Sequence, residues 1–170
     1  MPSTPSSSSE DDSKALSNKH PDRSAKDDEK TPLKYSDRHF IERTMKMNTE
    51  EVNVSQIVAQ SGATPQVREF ASEMVMAHQK VASELGSLAS KKNIEVPSKE
   101  EDTKKWAQKK QSDLDEDYVK HMISAHKTLI DLFEKAAKSN DADVASFASK
   151  YLPDLRTHYT EAETLKSQVK

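Results

Sequence analysis

Apolar residues recur at steps of three and four along four long stretches of the chain, all of them beyond residue 35. This spacing places the apolar side chains on one face of a helix. No stretch shows the two-residue alternation that is typical of a β-strand. The pattern therefore predicts an all-α protein. The inward-facing positions predicted for the first helix are Phe40, Thr44, Met47, Glu51, Val54 and Val58.

Capping residues mark the limits of the first two helices. Ser36 or Asp37 is suited to cap the first helix, because a short polar side chain can accept a hydrogen bond from a free backbone N–H. Gly62 follows the last apolar position and predicts the end of this helix. Thr64 and Pro65 predict the start of the next one, since proline fits the first helical turn, where its missing N–H costs nothing.

A short charged helix is predicted between the second and third long helices. Ser98 and Glu101 have the spacing of a capping box, and the segment at about 99–111 contains one large apolar residue, Trp106. The third long helix is predicted to begin near Asp113.

The fourth long helix is capped by Ser139 or Asp141. Pro153 falls inside it and predicts a kink or a break, because proline removes a backbone donor and its ring meets the preceding turn. Four helices of roughly 25 residues with short connections predict an antiparallel four-helix bundle. This bundle domain covers residues 36–170, and the short helix crosses one of its ends.

Residues 1–35 differ from the rest of the chain in composition. They contain a run of four serines at 6–9, prolines at positions 2, 5, 21 and 32, and few apolar side chains. Such a segment buries too little surface to offset the loss of chain entropy on folding. We therefore predict a disordered tail or tether.

Composition and charge exclude several classes of function. With no Cys and two Gly, the chain cannot form thiolate metal sites, thiol nucleophiles or glycine-rich phosphate loops. A net charge of −3 without a basic stripe argues against nucleic-acid binding. No apolar run approaches the ~20 residues that span a bilayer. The first residues also lack the basic start and apolar core of a secretory signal.

Each inward-facing stripe carries one polar residue that can ligate a metal. These residues are Glu51, His78, His126 and His158. Measured from one end of the bundle at 1.5 Å per residue, the first three fall within ~5 Å of one level, and His158 lies roughly one turn further away. We therefore expect that the four side chains can converge in the core of the bundle.

Two interpretations of this set are open. Three imidazoles and a carboxylate suit Zn, Cu, Ni or Fe, whereas Ca and Mg prefer oxygen ligands. The other interpretation is a metal-free polar layer, in which hydroxyls such as those of Tyr118, Tyr151 and Tyr159 pair with the buried groups. Glu134, eight residues after His126, is an outside candidate for the same cluster. No Glu is followed by a His three residues later, which argues against a di-iron oxidase centre.

The segment from Asp37 to about Leu165 resembles the bacterial domain-of-unknown-function 4142 family. The residues that carry the resemblance are Asp37-x-x-Phe40, Glu51-Val52, Phe70-Ala71-x-x-Met74-Val75-x-x-His78, Tyr118 with His126, Leu132-Phe133-Glu134 and Leu152-Pro153-x-Leu155-x-x-His158. The resemblance implies a ferritin-like four-helix bundle in the periplasm or outer envelope of the cell. It also implies that the family's recurring Glu and His positions fall on Glu51, His78, His126 and His158.

Two functions follow as expectations. The first is a non-enzymatic envelope protein with a structural, interaction or stress-related role, a buried Glu–His polar layer, and an unknown protein partner or self-association. The second is a protein that stores, buffers or senses Zn, Cu or Fe through the same cluster. We do not expect an enzyme, because the sequence contains no nucleophile motif and no Glu-x-x-His pair.

Overall fold

The stripes of apolar residues fold into five helices, and the part of the chain that the structure describes contains no strand. The computed structural model describes residues 33–95 and 103–169. The helices are α1 (Tyr35–Ser61), α2 (Pro65–Lys91), α3 (Lys104–Ala107), α4 (Gln111–Ala136) and α5 (Ala142–Lys166). The predicted all-α class is confirmed. The predicted tail up to residue 32 and the capping box of Ser98 and Glu101 lie outside the described residues.

Each of the four long helices packs against two others. α1 contacts α2 and α4, and α5 contacts α4 and α2, so the contacts form a closed ring. The short α3 contacts α1. The described helices belong to one compact unit that begins at residue 32. None of them is both long enough and apolar enough to cross a membrane.

The buried apolar side chains form two separate clusters. We call them the first core cluster, which contains Phe40, Met45, Val81, Leu85, Leu129, Phe133, Phe147, Tyr151 and Leu155 among others, and the second core cluster, which contains Val54, Val58, Phe70, Met74, Leu114, Tyr118, Met122, Ala162 and Leu165 among others. Every long helix contributes to both clusters. Between the two contributions, the inward-facing residues of all four helices are polar, which produces a polar layer across the middle of the core.

A carboxylate from α4 holds the turn between α1 and α2. Asp115 accepts hydrogen bonds from the backbone N–H groups of Ala63 and Thr64 and from the Thr64 hydroxyl, at 2.8–2.9 Å. Gly62 has a φ of −59°, so it does not form the left-handed cap that its position suggests. Glycine is required at this position because a side chain has no room: a Cβ there would lie 2.8 Å from the Val58 carbonyl oxygen.

Several helix limits differ from the sequence-based expectation. α1 begins at Tyr35, before both residues proposed as caps, because the Lys34 carbonyl already accepts helical hydrogen bonds; Asp37 is therefore buried in the first turn. Of the described part of the span predicted at about 99–111, α3 covers Lys104–Ala107. In contrast, α2 begins at Pro65 as predicted. At the start of α5 the Asp141 carboxylate accepts hydrogen bonds from two backbone N–H groups, as a cap should.

Pro153 lies inside α5, which continues across it as one helix from Ala142 to Lys166. The predicted break is therefore absent. Proline removes a single backbone hydrogen bond, and the residues on either side of it, Tyr151 and Leu155, are both buried in the first core cluster. Their packing holds both halves of the helix on the same core.

Candidate metal centre

The polar layer brings together three imidazoles from three helices. His78 lies on α2, His126 on α4 and His158 on α5, and one ring nitrogen of each lies within 4.8 Å of the other two. The ring centroids are 5.4, 5.5 and 5.9 Å apart, a nearly equilateral triangle. His158 was expected roughly one turn away, but its side chain reaches the other two.

Glu51 enters the same layer from α1. Its Oε2 is 2.8 Å from His78 Nε2, and its Oε1 is 3.9 Å from His126 Nδ1. Neither oxygen has a hydrogen bond of regular geometry, and the residue is 1% exposed. Burial acts to raise the pKa of the Glu51 carboxyl, but the close contact with the His78 ring and the proximity of the His126 ring outweigh it and hold the pKa below its ordinary value. The cluster therefore contains a buried carboxylate.

Asn48 fixes the proton of the His78 ring. Its amide Nδ2 donates to the His78 backbone oxygen at 2.7 Å, so its Oδ1 is the atom that lies 2.8 Å from His78 Nδ1. An amide oxygen only accepts, and Nδ1 must therefore carry the proton. The other ring nitrogen, Nε2, faces the cluster and shares a proton with Glu51 Oε2 at 2.8 Å, in the position that a metal ion would take. This is the arrangement that holds metal-binding histidines in place.

The sequence pattern did not predict that Asn48 faces the core. The predicted stripe placed Met47 inward, but Met47 is partly exposed and Asn48 is 1% exposed. The steps from Thr44 to Asn48 and from Asn48 to Glu51 are four and three residues, so the helical period was compatible with it. A buried asparagine on an inward face was the available signal, since such a residue needs hydrogen-bond partners in the core.

The position of the proton is also fixed on the His126 ring. His126 Nδ1 is 2.9 Å from the Met122 carbonyl oxygen, which only accepts, so this nitrogen carries the proton and Nε2 has the lone pair. Burial lowers the pKa of His126, and it lowers the pKa of His158 to about 4. Both rings are therefore neutral at pH 7. His126 Nε2 and His158 Nδ1 are buried and have no hydrogen-bond partner.

The structure places the remaining candidates elsewhere. Glu134, the outside candidate, is on the surface, where its Oε1 accepts a hydrogen bond from Arg156 at 2.7 Å. A ligand eight residues after His126 would lie more than two turns along α4, about 12 Å from its level. His121, whose ring packs 5.2 Å from that of Trp106, is not part of the group.

Two of the three tyrosines considered for a metal-free layer have other partners. The Tyr118 hydroxyl pairs with Ser55 at 2.7 Å, and the Tyr159 hydroxyl donates to Glu163 at 3.1 Å. The third, Tyr151, lies in the first core cluster.

The cluster has the donor set of a site for a borderline divalent metal. Three imidazoles and a carboxylate are ligands that Zn, Cu and Fe accept. Bonds of about 2.0–2.1 Å in a tetrahedral site require nitrogens about 3.4 Å apart. The observed nitrogens lie within 4.8 Å of one another, so small side-chain rotations would complete such a site.

Fold and cluster define this chain as an all-helical protein with a buried Glu–His cluster in its core. Residues 22–165 match the family model described as "Domain of unknown function (DUF4142)", and the chain belongs to this family. The family predicted from the sequence is therefore confirmed. No curated protein is significantly similar to the chain.

Two solved structures share the fold. One is a DUF305 fragment from Deinococcus radiodurans, with a TM-score of 0.71 and 8% identity over 81% of this chain and 99% of that one. The other is a candidate spore coat protein from Bacillus halodurans C-125, with a TM-score of 0.67 and 14% identity over 81% of this chain and 90% of that one. At these identities the similarity establishes the helical fold alone.

Proposed function

We propose that this chain is a non-enzymatic protein that binds a divalent transition metal of the Zn, Cu or Fe group. His78, His126 and His158 supply nitrogen ligands, and Glu51 supplies an oxygen ligand or the balancing negative charge. The observation that carries the proposal is the arrangement of protons. Asn48 and the Met122 carbonyl hold a proton on Nδ1 of His78 and of His126, which leaves Nε2 of each ring as the nitrogen that can bind a metal.

A metal-free polar layer accounts less well for the same geometry. A proton on His78 Nε2 would pair with Glu51, but it would leave His126 Nε2, which does not line the cavity at His78 and His158, buried without a partner. Such a group costs about 1–3 kcal/mol. The hydroxyls of Tyr118 and Tyr159 do not supply the missing donor, since they pair elsewhere. One cation would serve all of these atoms at once.

The closed ring of contacts among the four long helices supports a ferritin-like, antiparallel four-helix bundle. The absence of a nucleophile motif and of a Glu-x-x-His pair in the sequence favours holding a metal over turning over a substrate. We therefore propose storage, buffering or sensing as the role. A location in the cell envelope is also part of the proposal, and its support is the resemblance to a family of envelope proteins.

Metal analysis and thermal unfolding of untagged full-length protein test this function. Protein stripped with a chelator is melted alone and with Zn²⁺, Cu²⁺ or Fe²⁺, and bound metal is measured after removal of the excess. A ligand at 100 times its Kd stabilises the folded state by about 2.7 kcal/mol. We expect one equivalent of bound metal and a clear increase in Tm that the chelator reverses.

Two histidines on α4 provide a matched pair of variants. His126→Gln changes a cluster residue, whereas His121→Gln changes a histidine outside the group. The metal-dependent increase in Tm should disappear in the first variant and persist in the second. Comparing each variant with and without metal removes any effect of the substitution on folding alone. Absence of bound metal in the unmodified protein, or equal increases in both variants, would overturn the proposal.

A further inference from the structure

A cavity of about 230 Å³ lies beside the histidine cluster. His78 and His158 form part of its lining, and apolar side chains such as Leu129 form another part. Exposed residues, Lys80 on α2 and Asp154 on α5, also line it, so the cavity reaches solvent between these two helices. It thus connects the proposed metal site with the exterior.

Buried polar atoms without a hydrogen-bond partner occur at both ends of this cavity. At one end are His78 Nε2 and His158 Nδ1 of the cluster, and at the other are the hydroxyls of Thr44 and Tyr151. Thr44 is seven residues from Glu51, and Tyr151 is seven residues from His158. Seven residues of helix span about 10 Å, which separates the two ends.

The Thr44 hydroxyl is unusual among the helical threonines. Five others, Thr49, Thr128, Thr157, Thr160 and Thr164, donate to the carbonyl four residues earlier. Thr44 makes no such bond although it is 1% exposed. A buried hydroxyl that does not use its own helix as an acceptor remains available for a bound molecule.

The Tyr151 hydroxyl remains a hydrogen-bond donor at physiological pH. Burial, together with the nearby Glu84 carboxylate, raises the pKa of Tyr151 above its ordinary value. Both oxygens of Glu84 accept hydrogen bonds from Lys150 at 2.7–2.8 Å, and the carboxylate also lies within hydrogen-bonding reach of the Tyr151 hydroxyl. The Tyr151 hydroxyl itself has no hydrogen bond of regular geometry.

We infer that this cavity binds a small monocarboxylate, with its carboxylate on the metal, its apolar body against Leu129 and its neighbours, and a distal polar group at Thr44 and Tyr151. The inference rests on the proposed metal binding. A divalent metal together with the Glu51 carboxylate leaves one positive charge, which an anionic oxygen ligand neutralises. A cavity of 150 Å³ accepts benzene, so the volume observed here suits a molecule of about nine non-hydrogen atoms.

Cobalt-loaded full-length protein and two aromatic acids test this inference. Benzoate has the expected size and a carboxylate at one end, and 4-hydroxybenzoate adds a hydroxyl at the other end. Coordination of a carboxylate changes the visible absorption of protein-bound Co²⁺, and calorimetry gives the affinity. We expect both acids to change the spectrum, with 4-hydroxybenzoate binding about fivefold more tightly because of its distal hydrogen bond.

Variants of the cavity lining separate its two ends. Tyr151→Phe and Thr44→Val should remove the advantage of 4-hydroxybenzoate and leave Co²⁺ binding and the affinity for benzoate within about twofold. Ala77→Leu, which fills the cavity between α2 and α5, should abolish binding of both acids while Co²⁺ still binds. These readouts do not depend on catalytic activity.

The outcomes distinguish this inference from the proposed function. If Co²⁺ binds but neither acid changes its spectrum, the monocarboxylate site is disproved and the metal site stands. If the acids bind equally well to chelator-treated protein without a spectral change, coordination to the metal is wrong. If 4-hydroxybenzoate binds no more tightly than benzoate, the placement of the distal polar group at Thr44 and Tyr151 is wrong. If neither Co²⁺ nor any of Zn²⁺, Cu²⁺ and Fe²⁺ binds, the proposed function is wrong and the monocarboxylate site falls with it.

Discussion

Replacing Asn48 with alanine should weaken metal binding without removing any proposed ligand. Asn48 holds His78 through two buried contacts, at 2.7 Å to the backbone oxygen and at 2.8 Å to Nδ1 of the ring. In Asn48→Ala the ring loses the acceptor that keeps the proton on Nδ1 and the orientation of Nε2. Loss of such a support for a metal ligand typically lowers metal affinity by about 10–100-fold.

The same substitution should lower the free energy of unfolding of the metal-free protein by about 2–4 kcal/mol. The hydrogen bond to the His78 backbone oxygen contributes about 1 kcal/mol, and the buried Nδ1–H of His78, left without an acceptor, costs about 1–3 kcal/mol. The His78 carbonyl keeps its bond within α2, so it adds little. Urea unfolding in the presence of a chelator measures this change.

Asn48→Asp separates the two effects. Aspartate keeps an oxygen acceptor for His78 Nδ1 but loses the amide that donates to the His78 backbone oxygen. Its metal affinity should therefore stay well above that of Asn48→Ala, even though the added buried charge lowers its stability. Affinity is measured by competition with a coloured zinc chelator. If Asn48→Ala binds Zn²⁺ within twofold of the unmodified protein, Asn48 does not position a metal ligand.

Three further substitutions have defined outcomes. Glu51→Gln removes the buried negative charge while keeping the size of the side chain, and it should lower Zn²⁺ affinity at least tenfold in the same competition assay. Asp115→Ala removes three hydrogen bonds to the α1–α2 turn and should cost about 2–4 kcal/mol in urea unfolding with unchanged metal stoichiometry. Asp141→Ala removes the α5 cap and should cost about 1 kcal/mol. The assignment of the site would be contradicted if Asp115→Ala or Asp141→Ala lowered the Zn²⁺ affinity more than Glu51→Gln does.

The polar layer interrupts what would otherwise be one continuous apolar core. On α1 the layer separates Met45 from Val54, and on α4 it separates Met122 from Leu129. Burying a carboxylate and three imidazoles is less favourable than burying leucine at the same positions unless the polar atoms find partners. A bound cation supplies those partners, so the metal should stabilise the middle of the molecule and hold the two core clusters together.

Helical periodicity was sufficient to predict the all-α class, most helix limits and the four residues of the cluster. The reason is that a stripe with a period of 3.6 residues selects the buried face locally, and a Glu or His on that stripe must be buried with it. Thus Glu51, His78, His126 and His158 could be named from the sequence. The fold of the helices around them follows from the same stripes and the short connections.

The tertiary structure alone decided what surrounds these residues. The acceptor for His78 is on α1 and not on its own helix, so neither the role of Asn48 nor the position of the ring proton follows from local spacing. The partner of Glu134 also does not follow from local spacing, because Glu134 on α4 pairs with Arg156 on α5 at the surface. The cavity depends on how closely α2 and α5 approach each other, which is a property of the packed core. Local periodicity determines which residues face inward, and the packing of helices distant in sequence determines their partners.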